Sequence, residues 1–401
     1  MSFHFSLVCR KLFRIVPPVC FALFLLIPIN RVYAQDPPFS LIGQLGLPGI
    51  TDVVVSNNIA YVCGNNGISV VDISSPDSPV LINTVGFSAT TCTINNSLLA
   101  AVTSGSGFPF RLYSLSPDPQ TPILLGSTTI PYAFPGRPLI INQHAYVRQL
   151  LFCFFISNND IFSQHGDLLS IAIGNIAAPA LDTVLFNDNG PRGEPGETPG
   201  CGENGGNFNV FNIAQTDATT ILLTSTTATG GDTQTGIGRI RVVDISNPSS
   251  LVVLNNNELQ IPGTVQTVGL AVQGNQALVS ASTGGWNDGS PITLGLTGSI
   301  VLAVLDVSDA DAPMLLASEI LDRDSIGVGN VVSLSNNRYV FPSFGFFNDP
   351  DLLYLVDASD PANLIIDQIE VPENITHLSV SDNLIYTASA AGLLIYQVGI
   401  K

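Results

Sequence analysis

The chain has 401 residues, 45% of them hydrophobic and only 11% charged, with 36 Gly and 27 Pro. That balance excludes a disordered chain, which carries few apolar residues and many charges, and it suits an all-β protein rich in turns. The formal net charge of −18 repels phosphate backbones and anionic lipid heads, so nucleic acid is excluded as a partner.

Residues 1–34 read as a secretory signal peptide. Arg10, Lys11 and Arg14 form its basic region, residues 15–29 its apolar region, and Val32, Tyr33 and Ala34 a cleavage site of small-residue type. The apolar run is interrupted by Pro17, Pro18 and Pro28 and is shorter than the ~20 residues a membrane helix needs. The mature chain is therefore expected to have no membrane span and to be secreted, periplasmic or held at the cell surface. Cleavage leaves 9 basic against 31 acidic residues, a net charge of −22. Residues 35–40 form a short polar leader, and residues 41–47 read as a lone strand.

From residue 50 onward two marks alternate. The first is an apolar strand running into a polar two-residue turn, at 53–58, 93–96, 139–143, 212–217, 270–275, 332–337 and 378–383. Its Asn, Asp, Gly and Gln residues suit tight hairpins that need positive φ. The second is a strand ending of Val-Val-Asp-Ile-Ser type, at 70–74, 112–116, 168–172, 241–246, 302–308, 353–359 and, more weakly, 393–398. Asp72, Asp244, Asp306 and Asp357 sit just before Ser/Pro turns, where a carboxylate accepts backbone N–H groups and starts the turn. Seven alternations of one four-strand unit (strands a to d, inner to outer) predict a seven-bladed β-propeller over 41–401, rather than a sandwich. The spacing at the two ends predicts that strand 41–47 completes the last blade and closes the ring.

The stretch YVCGNNGISVVDISSPDSPVLINTV resembles an LVIVD repeat, as do the segments at 241–251, 304–315 and 353–364. Ser114 and Ser170 stand where the acid would be in blades 2 and 3, and blade 7 lacks it. The resemblance implies an exported propeller of bacterial type. It brings no assigned catalytic residues.

Cys63, Cys92, Cys153 and Cys201 remain after the signal, an even number that permits two disulfides in an exported chain. Pairing between neighbouring repeats, Cys63 with Cys92 and Cys153 with Cys201, is the expectation.

Candidate sites fall on one face. The longest turn-to-strand spacings occur in blades 3 to 6, assigned to b–c loops, and a further insert at 187–207 joins strand d to strand a. Both kinds of connection emerge on the same face of a propeller, which marks it as a binding face. Its loops are acidic, and Asp232, Asp288, Asp349 and Asp351 are candidate ligands for calcium. Trp286, in GGWNDGS, is a candidate for stacking on a sugar or peptide, or for packing over a blade edge. At the channel mouth, a count back from each a–b turn places Asp52, Thr90, Arg137, Phe211, Gly269, Val331 and His377 at one height. Asp52, Arg137 and His377 are there the candidate ligand-binding residues, or a plugging ion pair. His144 falls on the opposite face, which argues against a three-histidine metal centre. No GxSxG, Walker, HExxH or dinucleotide-binding motif occurs. The function this predicts is non-enzymatic: a monomeric propeller that binds a protein, glycan or cell-surface component. The alternative is a hydrolase or lyase with a metal-assisted site at the channel mouth.

Overall fold

A computed structural model describes residues 38–103, 109–130, 135–154, 162–185, 207–229, 232–254, 258–283, 298–325, 327–344, 350–371 and 375–399. The signal reading at 1–34 lies outside them. Pro38–Lys401 form one compact unit. Among the described residues no helix is long and apolar enough to cross a membrane.

Seven antiparallel sheets follow one another along the chain. Blade 1 shows the plan, with strands Ile50–Ser56, Ile59–Gly64, Gly67–Asp72 and Val80–Val85 in order from the inside out. Blade 2 uses Thr91–Asn95, Leu98–Val102, Pro109–Ser114 and Ile123–Thr129; blade 3 uses Leu139–Ile141, His144–Phe154, Phe162–Ala172 and Ala180–Leu185. Blade 4 uses Asn207–Gln215, Thr220–Thr229, Asp232–Asp244 and Val252–Val253, and Leu259–Gln260 adds a second outer segment. Blade 5 uses Gln266–Gln273, Gln276–Ser282, Gly298–Asp306 and Met314–Ser325. In blade 6 the inner strand is split into Gly327–Val328 and Val332–Ser333, both pairing with Arg338–Phe344, which is followed by Asp351–Asp357 and Ile365–Val371. Blade 7 is Ile375–Ser381, Leu384–Ser389 and Gly392–Val398, with Phe39–Leu45 as its fourth strand.

Phe39–Leu45 pairs antiparallel with Gly392–Val398, from Phe39 opposite Val398 to Leu45 opposite Leu393. The strand thus begins two residues before the 41–47 read from sequence. Phe39 at its start is a buried aromatic in the blade 6–blade 7 cluster, which explains why the strand reaches back to it.

The strand patterns follow from packing. Strand b of blade 1, IAYVCG, is buried at every position, because both faces of a blade lie against neighbours. It therefore reads as a continuous apolar run rather than an alternating one. The outer strand Val80–Val85 is mostly exposed. Each pair of adjacent blades shares one apolar cluster: Tyr61, Leu99 and Tyr113 between blades 1 and 2, for instance, and Val53, Ala60, Tyr386 and Ile395 between blades 7 and 1.

Local chemistry sets the turns. Asn57, Asn96, Asn142, Asn336, Asn337 and Asp382 adopt φ of 52–59° at the a–b turns, the left-handed region that Asn and Asp tolerate best among side-chain-bearing residues. Asp72, Asp244, Asp306 and Asp357 each accept the backbone N–H of the serine two residues on, at 2.8–3.0 Å. Ser114 does the same for Ser116 in blade 2. In blade 3 the equivalent position is Ala172, opposite His144, so Ser170 does not stand in the acid's place; it is a buried strand residue.

The extra residues of blades 3 and 4 are not simply loop, contrary to the sequence expectation. They lengthen the central hairpins. In blade 3 strands b and c run 11 residues each, and in blade 4 they run 10 and 13, against 6 each in blade 1. Runs such as RQLLFCFF and TSTTAT are rich in aromatic and β-branched residues, which favour strand over loop.

Candidate functional site

The inner strands meet around the central channel, and those of blades 1, 4, 5 and 7 enter through a bulge. Register shifts fall at Ile50/Asp52, Val210/Asn212, Thr267/Gly269 and Ile375/His377. A bulge re-aims the side chain that follows it, and in these four blades that residue is Asp52, Asn212, Gly269 or His377. The height count needs correcting in two blades. Thr91, not Thr90, holds the position of Asp52 in blade 2, because the turn there starts at Asn96. Asn212, not Phe211, holds it in blade 4, where the a–b turn is longer.

Asp52, Arg137 and His377 come together across the channel. Asp52 is fully buried, and its carboxylate accepts from Val53 N at 2.7 Å, Thr91 Oγ1 at 2.7 Å, Cys92 N at 3.0 Å and Arg137 Nε at 3.3 Å, as well as from Arg137 Nη2. Burial alone would raise its pKa, but the Arg137 charge and the donors around it hold the carboxyl below its ordinary range. Asp52 is therefore ionised, with its lone pairs taken.

Arg137 starts in blade 3 and ends against blade 7. Its Nη2 donates to Val53 O at 3.1 Å, and both Nη atoms donate to Leu378 O at 3.3 Å. One guanidinium thus links three blades. Its planar fork can satisfy a carboxylate and two carbonyls together, which a lysine cannot.

His377 Nδ1 lies 2.8 Å from Thr51 O. A carbonyl only accepts, so Nδ1 carries the proton. Burial pushes the His377 pKa down; Asp52 opposes this, and Arg137 and Arg148 add to the depression. The imidazole is neutral near pH 7, with Nε2 as an open acceptor. Threonines at the bulges tie neighbouring inner strands together: Thr51 Oγ1 donates to Thr90 O at 2.7 Å, and Thr376 Oγ1 to Thr51 O at 2.9 Å.

On the opposite arc the described contacts at the mouth are between uncharged groups. Asn212 Nδ2 donates to Asn330 Oδ1 at 3.3 Å and to Leu270 O at 3.4 Å, reaching from blade 4 to blades 5 and 6. Sequence reasoning missed Asn212 and Asn330; register, visible only in the pairing, would have found the first of them.

A disulfide joins Cys63, on strand b of blade 1, to Cys92, on strand a of blade 2. Cys63 is the cross-strand partner of Asp52, and the Cys92 amide donates to it, so the bridge braces the wall of the mouth. Cys153 has no described side chain and Cys201 lies outside the described residues. The same holds for Asp232 (side chain), Asp288, Asp349 and Trp286. Asp351, the fourth calcium candidate, opens strand c of blade 6 opposite Val371. Among the described residues no group of three His, Cys, Asp or Glu side chains is placed to hold a metal. His144 pairs with Asp182 at 3.3 Å, far from the mouth on the turn face.

The family model for the LVIVD repeat matches residues 50–86 and 238–257, in blades 1 and 4. Among curated proteins none matches significantly. Solved structures share the fold at low identity. The periplasmic gluconolactonase PpgL of Pseudomonas aeruginosa aligns with a TM-score of 0.58 at 11% identity, over 85% of this chain and 88% of that one. A putative 6-phosphogluconolactonase of Bacteroides fragilis aligns with 0.57 at 10%, over 85% and 86%. The Cps50 (Swd1) β-propeller domain of Myceliophteria thermophila aligns with 0.54 at 12%, over 90% and 100%. At such identity the likeness is one of fold alone. The chain is a seven-bladed β-propeller that carries matches to the LVIVD repeat in its first and fourth blades.

Proposed function

We propose that this protein is an exported, non-enzymatic binding propeller that recognises a protein, glycan or cell-surface component through the face bearing its b–c and d–a connections. One observation carries the reading. Blades 1 and 7 join strands b and c with two residues, between Gly64 and Gly67 and between Ser389 and Gly392. A blade of this protein therefore folds without a longer connection, yet blade 5 spaces Ser282 from Gly298 and blades 3 and 4 extend their hairpins on that same face. Elaboration on one side of a rigid scaffold is how binding surfaces are built. The Cys63–Cys92 bridge supports export, since disulfides persist in oxidising compartments.

The test replaces residues 284–297, and separately 155–161, with an Asn-Gly turn. Both variants should unfold with the parent's cooperativity. Glycan arrays and capture from the native cell envelope are then compared with the parent. Ligands bound by the parent and lost by a shortened variant support the reading; unchanged capture by both variants refutes it.

A second reading, hydrolase or lyase chemistry at the mouth, draws on His377, whose neutral ring offers Nε2 as a base. Its metal-assisted form gains nothing from Asp52, whose oxygens already accept from Val53, Thr91, Cys92 and Arg137.

A further inference from the structure

Arg148 is a charge that the mouth does not explain. It sits on strand b of blade 3, and its carbonyl accepts the amide of Gly136 at 2.8 Å. Its side chain lies across Gly136, the residue before Arg137. A Cβ at position 136 would stand 2.3 Å from Arg148 Nε and 2.4 Å from Cγ, so a larger residue there would displace the arginine side chain. The side chain is half-buried rather than enclosed. Its guanidinium nevertheless lies withdrawn from bulk water, which pushes its pKa down to about 10, and its field reaches His377 in blade 7.

The charges at the mouth do not cancel. Asp52 is committed to Arg137, with which it forms an ion pair. His377 is neutral. Among the described residues no carboxylate contacts Arg148. A desolvated guanidinium without a counter-charge is costly, because the water it loses is replaced by nothing of equal strength. The surplus stands out in a chain whose formal net charge is −18.

We propose that the channel mouth is a binding site for a small oxyanion, carboxylate or phosphate, with Arg148 as its principal ligand and Arg137 as its fixed neighbour. Guanidinium forks match both kinds of oxyanion through paired N–H···O bonds. The Asp52 pair keeps Arg137 from swinging away, and the open side of Arg148 is the approach. The site does not depend on the partner-binding reading, because it uses side chains inside the channel rather than the connections around it.

The test uses the full chain. Inorganic phosphate and acetate are titrated separately by calorimetry and by thermal melting, with chloride at matched ionic strength as the control. Saturable binding of one anion per chain is expected, with a rise in melting temperature. A response to phosphate alone assigns a phosphoryl ligand, and a response to acetate alone assigns a carboxylate. Arg148→Met should bind about tenfold or more weakly, the usual loss for a charge-assisted hydrogen bond. Without anion it should melt above the parent, since a charge with no carboxylate partner among the described residues has been removed. If Arg148→Met does not fold, Arg148→Gln carries the same two readouts. The proposal is overturned if neither probe binds saturably, if chloride reproduces the shift, or if the variants melt lower than the parent with binding unchanged.

Discussion

Asp72 and Asp52 lie on the same blade and on opposite faces. Asp72 ends strand c in the open and accepts the amide of Ser74, two residues along the chain. Asp52 opens strand a, is fully buried, and holds groups 39, 40 and 85 residues away. The turn face is made of such local contacts, copied from blade to blade. The i to i+3 backbone bonds of the c–d turns, Ser78 to Ser75, Ser250 to Asn247 and Asn363 to Asp360 among them, follow the same rule. The channel mouth is made of contacts that occur once. A local contact survives in the unfolded chain as a fluctuating preference, so it adds little to the native state; a long-range buried pair exists only when the blades have assembled.

That difference sets an order of expected effects. The longest-range contact is the pairing of Phe39–Leu45 with Gly392–Val398, and we propose that it closes the ring. A chain that starts at residue 46 should show the largest loss, with a broad, non-cooperative melt in place of a single transition, because blade 7 then ends in an unpaired edge. A truncated chain that melts as sharply and as high as the parent would show that closure rests on the blade 7–blade 1 packing instead.

Asp52→Ala comes next. Removing one partner of a buried pair leaves Arg137 uncompensated and is expected to lower stability by about 3–5 kcal/mol, read from urea midpoints. Asp52→Asn, which keeps an acceptor without the charge, should fall between that variant and the parent.

Acid should act on the mouth before the turn face. The His377 pKa is lowered from 6.5 in the folded protein, so the unfolded chain takes up that proton first and stability falls as pH drops below about 6.5. Asp52, held below its ordinary value, adds a further loss only as pH falls below about 4 and through its folded pKa. His377→Gln should flatten the decline between pH 6.5 and 5 and leave the lower limb in place, as followed by urea midpoints at each pH.

The smallest effect belongs to Asp72→Asn. The amide oxygen still accepts from Ser74, and the side chain is in water, so the melting midpoint should not move measurably. A clear drop would mean that the turn aspartates do more than start their turns.

The two faces also differ in how far a sequence reader could see. The repeat of polar turns and the Asp-x-Ser endings are local signals, so blade count, turn positions and the role of Asp72, Asp244, Asp306 and Asp357 were legible. The gathering of Asp52, Arg137 and His377 was legible as far as the height count held. That count slipped by one residue at Thr91, where the turn starts one residue later than the Asn pair suggests, and at Asn212, where the turn is longer. Arg148 gave no signal, since its placement depends on Gly136, in the segment that leads into the neighbouring strand.

A seven-bladed β-propeller follows from the chain alone, because each blade's hydrogen-bonding and turn chemistry is written within a few dozen consecutive residues. What the mouth contains emerges with the assembled ring. Bulges and strand register aim side chains from blades 1, 2, 3 and 7 at one another, and which charges then meet follows from packing around the ring.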